Sequence, residues 1–349
     1  MRSWSGDLTD WYRANKRVLP WREAPLPYFI WVSEVMLQQT QVETVIDYFN
    51  RFIAKFPTVE KLAVADLQEV LKLWEGLGYY SRARNFHKAA QKVVAEYGGE
   101  IPSTYLDLQK LPGLGPYAAA AVASLAFSVP VPVVDGNVLR VFARFWGMND
   151  DIRLPKMRQL LFDQLVPIIA EENPSDFNQG MMELGALICR PQSPLCLACP
   201  IQPGCVAFRE RRTDELPVKS KLPKAPHFEI GVGVIWRGDH ILIAKRKTDQ
   251  MLGGLWEFPG GKRQAGESLE ETVCRELLEE TGLTVQIGAP YPIVKHAYTH
   301  FKITMTAFRC VYLSGKPSPN TSDELKWVPV SDLNSYPFPK ASLKVIENF

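Results

Sequence analysis

Leu111-Pro112-Gly113-Leu114-Gly115-Pro116-Tyr117 forms a turn flanked by helical patterns. Two glycines let another backbone approach closely, and the helix that follows points its N-terminal amides outward. A DNA phosphate is a natural guest for that arrangement. Taken alone, such a turn is more often a plain connection between helices. Some twenty residues on comes Val134-Asp135-Gly136-Asn137-Val138-Leu139-Arg140. An Asp at that place is, by itself, usually just a helix N-cap.

Outward from the turn the chain stays helical. Apolar residues recur at helical spacing in Trp31, Val32, Val35 and Met36, and again in Leu67, Val70, Leu71 and Trp74. Short breaks carry Gly or Pro, as at residues 24–27, 56–58 and 97–99. Alternating β-branched runs are few, so residues 1–185 are expected to be all-α. Residues 209–228 are rich in Lys, Arg and Pro without apolar periodicity, which suits an extended linker. Beyond it, strands are expected at 229–236 and 240–246 across a Gly-Asp turn, then a helix at 269–281 and strands near 293–297 and 302–313. That half reads as α+β. The expected organisation is a helical domain over 1–208, a linker over 209–226 and a second domain over 227–349.

Composition agrees with this division. A chain of 349 residues exceeds one ordinary core, so two or three domains are expected. No run approaches about 18 uninterrupted apolar residues, and the N-terminus has no apolar stretch long enough for a secretory signal. A cytoplasmic enzyme with no membrane partner is the expectation. Residues 1–226 hold 26 Lys+Arg against 24 Asp+Glu, and 227–349 hold 14 against 14, so any DNA contact must come from a local patch or from backbone amides. Four of the six cysteines, Cys189, Cys196, Cys199 and Cys205, crowd into the pattern C-x6-C-x2-C-x5-C. Without a secretion signal, such crowding argues for a metal centre over disulfides. The spacing leaves an iron–sulfur cluster and a tetrahedral zinc both open.

That cysteine pattern after an all-helical segment resembles the cluster loop of the endonuclease III and MutY glycosylases. LPGLGPY followed by Asp135 resembles their helix-hairpin-helix signature. The resemblance implies a multidomain protein: an all-α helix-hairpin-helix glycosylase with a [4Fe–4S] cluster domain, then an α+β Nudix-like domain. It implies that the cluster sits in the loop 189–205 without being the catalyst. It also implies that Gly113 and Gly115 meet DNA and that Asp135 faces the sugar whose base is removed. Breaking an N-glycosidic bond builds positive charge on the deoxyribose, which a carboxylate stabilises, and the leaving base must take up a proton. Glu34 lies one helical turn from Gln38 among apolar neighbours that would dehydrate it and raise its pKa. Its segment, SEVMLQQTQV, closely matches the motif separating MutY from endonuclease III, which implies that Glu34 protonates adenine. The same resemblance makes Gln39 and Tyr79 the residues that wedge into the duplex, and Arg22 a residue lining the adenine pocket. Tyr117 stands where the endonuclease III type carries a Schiff-base Lys, so base removal is expected to use water. Tyr117 and Asn137 are expected beside Asp135.

Residues 261–283 fit G-x5-E-x7-R-E-U-x-E-E-x-G-U at every fixed position, from Gly261 and Glu267 through Arg275 to Leu283. This is a complete Nudix box, and helical spacing gathers Glu276, Glu279 and Glu280 as candidate ligands for Mg²⁺. In MutY-type enzymes the C-terminal domain resembles MutT, the 8-oxo-dGTP hydrolase, but its box is usually degraded and it reads 8-oxoguanine instead. Residues 296–300, His-Ala-Tyr-Thr-His, resemble the H-x-F-S-H loop of that reader, which points to Thr299 and His300. The expectation is a nucleoid-associated, monomeric, monofunctional glycosylase acting on duplex DNA with adenine opposite 8-oxoguanine or guanine. The alternative is a bifunctional protein whose box also hydrolyses an oxidised nucleoside triphosphate.

Overall fold

The computed structural model describes residues 3–221 and 223–349. Among them, no helix is long and apolar enough to cross a membrane. The chain forms two compact units, one of Met1–Val64 with Lys88–Leu222, the other of Ala65–His87 with Pro223–Phe349.

The first unit is helical, as expected. Its Pro27–Leu37 helix is apolar on nearly every side, and Tyr28 and Ile30 through Met36 are all buried. A helix of that kind has no solvent face and must lie inside. It packs against Pro116–Phe127, whose alanines from Ala118 to Ala123 are buried and let the two axes come close. A second core joins Gly136–Phe145, Pro155–Ile169 and Pro174–Leu187 through Phe142, Leu161, Leu165, Phe177 and Leu184. Trp4 stacks edge-on to Phe142 at 5.6 Å and closes that core from the N-terminal helix.

The second unit is built on an eight-stranded mixed sheet. Its strands are β1 (His227–Arg237), β2 (His240–Arg246), β3 (Trp256–Glu257), β4 (Gly260–Lys262), β5 (Thr284–Pro290), β6 (Val294–Ala297), β7 (Lys302–Ser314) and β8 (Ser322–Pro329). The order β3-β2-β1-β7-β5 has β1 parallel to β7, with Gly231 opposite Thr306, and antiparallel neighbours elsewhere on the path. Strand alternation sends Val232 and Val234 to one face with Ile241, Ile243 and Phe338. Ile235 goes to the other face with Val273 and Leu277. The Leu269–Thr281 helix covers that second face, started by a Ser268–Glu271 capping box and stopped by Gly282 at φ +70°. Gly231 and Gly233 have no side chain because Val273 and Leu277 occupy the space a Cβ would take.

Two differences from the sequence reading bear on the site. Residues 65–87 read as part of the helical domain over 1–208, yet they pack in the second unit. Gln68 accepts from Trp256 Nε1 at 2.9 Å and donates to Gly254 O at 2.9 Å, and Glu75 accepts from Phe338 N at 2.8 Å. These polar bonds span more than 180 residues of sequence and leave no local pattern. The expected linker is also anchored over much of its length. Leu216 is buried, Arg144 Nε donates to its carbonyl at 2.8 Å, and Ser220 N donates to Asp151 at 2.9 Å.

Candidate active site

Within the first unit a cavity of about 150 Å³ is lined by Arg22, Glu34, Tyr117, Asp135 and Asn137, together with Gln179, Met182 and Glu183. A space of this order admits a small planar ring. Five of the residues singled out in the sequence therefore meet at one place. Glu34 comes from the buried Pro27–Leu37 helix and is only 3% exposed. Burial pushes its carboxyl up to about 7. The bond from Tyr117 opposes that rise, and the nearby Asp135 charge adds to it. Tyr117 Oη donates to Glu34 Oε2 at 3.3 Å, and burial holds the phenol well above its ordinary value, so it stays a neutral donor.

Asp135 is the N-cap of the Gly136–Phe145 helix and accepts from Val138 N at 2.7 Å. Asn137 Nδ2 donates to its second oxygen at 3.0 Å. Burial raises its pKa, and these bonds favour the anion. As the N-cap of this helix, Asp135 also lines the cavity that Glu34 lines. Asn137 in turn accepts from Arg140 Nη2 at 2.9 Å, and Arg140 Nε donates to the Cys189 carbonyl at 2.9 Å. A continuous line of hydrogen bonds thus runs from Asp135 to the cysteine loop.

Sequence reasoning missed the other half of the cavity. Glu183, 1% exposed, accepts from Arg17 Nε at 2.8 Å and from Arg22 Nη2 at 3.1 Å. Burial alone would raise its pKa, but the two guanidinium groups pull it down to about 2. Gln179 accepts from Arg22 Nε at 2.8 Å. The planar Arg22 fork is therefore fixed from two sides. The signal that exposed Glu34, a carboxylate on an apolar helix, was also present at Glu183 in Met181-Met182-Glu183-Leu184.

All four clustered cysteines line one apolar cavity with Val141, Phe145, Leu184 and Ile201, and none of the six cysteines forms a disulfide. Arg144 Nη1 lies 3.4 Å from Cys189 Sγ and donates to Arg190 O at 2.7 Å. Among the described residues, no three His, Cys, Asp or Glu side chains are gathered so as to hold one metal ion. Four thiols around one shared cavity are the donor set an iron–sulfur cluster uses.

The turn at 111–117 sits between the Tyr105–Leu108 and Pro116–Phe127 helices. Gly113 has φ +81°, a conformation that glycine alone adopts without strain. At Gly115 a Cβ would meet no atom within 4 Å, so nothing inside the protein requires glycine there. The helix it opens has no side-chain cap, and its first residue, Pro116, carries no N–H to satisfy. Gln39 stands exposed at φ +59° on the turn after Pro27–Leu37. Non-glycine residues held there concentrate at functional sites.

Tyr79 belongs to the second unit, also left-handed at φ +48° and 41% exposed. Its hydroxyl lies 2.7 Å from Thr299 Oγ1, so two residues 220 positions apart meet. Both line a cavity of about 460 Å³ with His296, Tyr298 and His300. The box carboxylates are otherwise engaged. Arg275 Nη1 donates to Glu276 at 2.8 Å and to Glu279 at 3.3 Å, and Glu267 accepts from Arg275 Nε at 2.7 Å. Glu280 accepts from Gly260 N at 2.9 Å, and burial lifts its carboxyl to about 7.

A family model described as the HhH-GPD superfamily of base excision DNA repair proteins matches residues 32–167. A NUDIX domain model matches residues 231–348. An adenine DNA glycosylase from Rattus norvegicus is 36% identical, over 92% of this chain and 73% of its own length. One from Homo sapiens is 34% identical, over 97% and 72%. One from Buchnera aphidicola is 32% identical, over 98% and 96%. Among solved structures, a thermostable thymine-DNA glycosylase has 28% identity and a TM-score of 0.54, over 59% of this chain and 95% of its own. A trapped endonuclease III–DNA covalent intermediate has 26% identity and a TM-score of 0.51, over 60% and 99%.

Proposed function

The chain belongs to the adenine DNA glycosylase family, hydrolases of base excision repair, and on that premise we propose that its substrate is adenine opposite 8-oxoguanine or guanine in duplex DNA. The observation that carries the chemistry is a buried carboxyl near neutrality, Glu34, sharing a small cavity with a hydrogen-bonded carboxylate, Asp135. Glu34 gives its proton to a ring nitrogen of the adenine. The glycosidic bond then breaks with its electron pair on the base, and positive charge grows on the sugar opposite Asp135. Water adds to the sugar carbon and releases a proton. Arg22, fixed by Glu183 and Gln179, orients the base, while Tyr117 and Asn137 hold the two carboxyl groups in place. Tyr117 has no amine to form a Schiff base, which supports a monofunctional enzyme.

Gly113 and Gly115 take a DNA phosphate, and Gln39 and Tyr79 fill space left by the extracted base. Thr299 and His300 read the base opposite the adenine. The experiment is single-turnover excision from duplexes carrying adenine opposite 8-oxoguanine or guanine. Wild type is expected to prefer the oxidised partner, and Thr299→Ala to lose about tenfold of that preference, the size of one hydrogen bond. An unchanged preference in Thr299→Ala would remove Thr299 from the reading.

Cys189, Cys196, Cys199 and Cys205 would hold a [4Fe–4S] cluster, which supplies a cross-link for the loop and no step of the reaction. Stoichiometric zinc without iron on elemental analysis would overturn that assignment. The complete Nudix box favours a second reading, hydrolysis of an oxidised nucleoside triphosphate. The cavity that Thr299 and His300 share with Tyr79 favours the reader role over hydrolysis. Mg²⁺-dependent turnover of 8-oxo-dGTP that disappears in Glu280→Gln would reverse that preference.

A further inference from the structure

Residues 247–255 form a tight loop between β2 and β3, and Leu252 within it stands at φ +60°. A branched side chain occupies that region only where its surroundings hold it there. The restraint comes from behind. Both carboxylate oxygens of Glu257 accept from Arg246 Nη1 at 2.7 Å, and Arg246 Nε donates to the Met251 carbonyl at 2.8 Å. The Arg246 backbone closes the loop neck, accepting from Gly254 N and donating to Leu255 O, each at 2.9 Å. From the other side Arg84 Nη1 donates to Gly253 O at 2.8 Å, and Gly253 has no room for a side chain against the Lys247 and Thr248 backbone.

Met251 and Leu252 line the same cavity as Tyr79, Thr299 and His300, whereas Arg246 and Glu257 are not among its lining residues. We propose that the Arg246–Glu257 pair is a positioning device for discrimination: it sets Met251 and Leu252 as the part of the cavity wall against which the purine opposite the adenine is judged. This rests on the reading of Thr299 as a contact to that purine. Arg246 suits the task because its planar fork engages the carboxylate with one nitrogen and the loop carbonyl with another, which an ammonium cannot reproduce. The pair therefore acts through the loop without touching the base.

The test uses full-length protein and the excision ratio, adenine opposite 8-oxoguanine over adenine opposite guanine, under single turnover. Glu257→Gln and Arg246→Lys are each expected to lower the ratio about fivefold, with the double variant no worse than either, because both remove one restraint. The rate on adenine opposite guanine is expected to stay within about twofold of wild type. Met251→Ala, a half-exposed position that leaves the pair intact, is expected to lower the ratio as well, and an unchanged ratio there overturns the proposal even where a pair variant folds poorly. Thr299→Ala is run beside them. A reduced ratio in Thr299→Ala with an unchanged ratio in Glu257→Gln, Arg246→Lys and Met251→Ala overturns the positioning role and spares the reading. An unchanged ratio in Thr299→Ala overturns the reading and the positioning role with it. Equal loss on both duplexes in the pair variants also overturns the proposal, since it marks a general structural effect.

Discussion

Asp135 caps a helix, and the proposed function gives the same carboxylate a role in the chemistry; a single substitution separates the two. Asn is as good an N-cap as Asp, so Asp135→Asn keeps an acceptor for Val138 N while removing the charge. Its stability is expected to fall by no more than about 1 kcal/mol in a denaturant titration. Its single-turnover excision is expected to fall by several orders of magnitude, because several kcal/mol of cation stabilisation disappear. Near-normal excision would take Asp135 out of the chemistry. Glu34 behaves in the opposite sense on stability. Its folded value of about 7 lies above the ordinary 4.5, so between those values the native state holds the proton more tightly than the unfolded chain. Wild-type stability therefore declines as pH rises from about 4.5 to about 7, and above that range the buried anion costs on the order of 3 kcal/mol. Glu34→Gln carries no such anion. It is expected to excise adenine far more slowly, yet to resist urea better than wild type at pH 8 and to lose that advantage near pH 4. Equal urea midpoints at pH 8 would show that Glu34 is not buried as an acid. Glu34 and Asp135 were legible because each stands in a local pattern, an apolar helix or a helix start. The pairing of Arg17 and Arg22 with Glu183 was not, since it spans more than 160 residues.

Helices were easier to foresee than strands for a physical reason. The Leu269–Thr281 helix announces itself by a capping box, a terminal glycine and apolar residues on one face. β5 and β8 passed unnoticed because most of their side chains are exposed or half-exposed, and Gly288 and Pro290 interrupt the first of them. A strand that buries little has no alternation to display. The 111–117 turn shows the reverse, an element whose glycine is legible although no neighbouring atom requires it at position 115. Gly115 has an ordinary φ of −70° and open space where a Cβ would stand. Gly115→Ala is therefore expected to melt within a degree or two of wild type, a change of under about 0.5 kcal/mol. Its affinity for duplex DNA is expected to weaken several-fold and alike on every sequence, as loss of a backbone-phosphate contact requires. Undiminished DNA affinity in this variant would mean that the turn is only a connection.

At the scale of the molecule, the helical glycosylase half and the Nudix-like half were both legible, because periodicity changes from 3.6 to 2 near residue 227. The membership of residues 65–87 was not. The chain crosses between its two units three times, and this short excursion groups with residues 223–349. Gln68, Glu75 and Arg84 lose backbone partners at 253, 254 and 338 if the C-terminal half is cut away, so truncation at 226 disturbs more than the half it removes. The same excursion has a consequence during synthesis. Residues 65–87 leave the ribosome long before the strands they pack with, and at about 5–20 residues per second the wait is roughly 10 to 50 seconds. Throughout that interval Gln68, Glu75 and Arg84 lack their partners at 253, 254, 256 and 338. Nascent chains halted once residue 222 has emerged are expected to be cut by protease within 65–87, and released full-length chains to resist. Protection of that segment in the halted chains would show that it can fold without the strands.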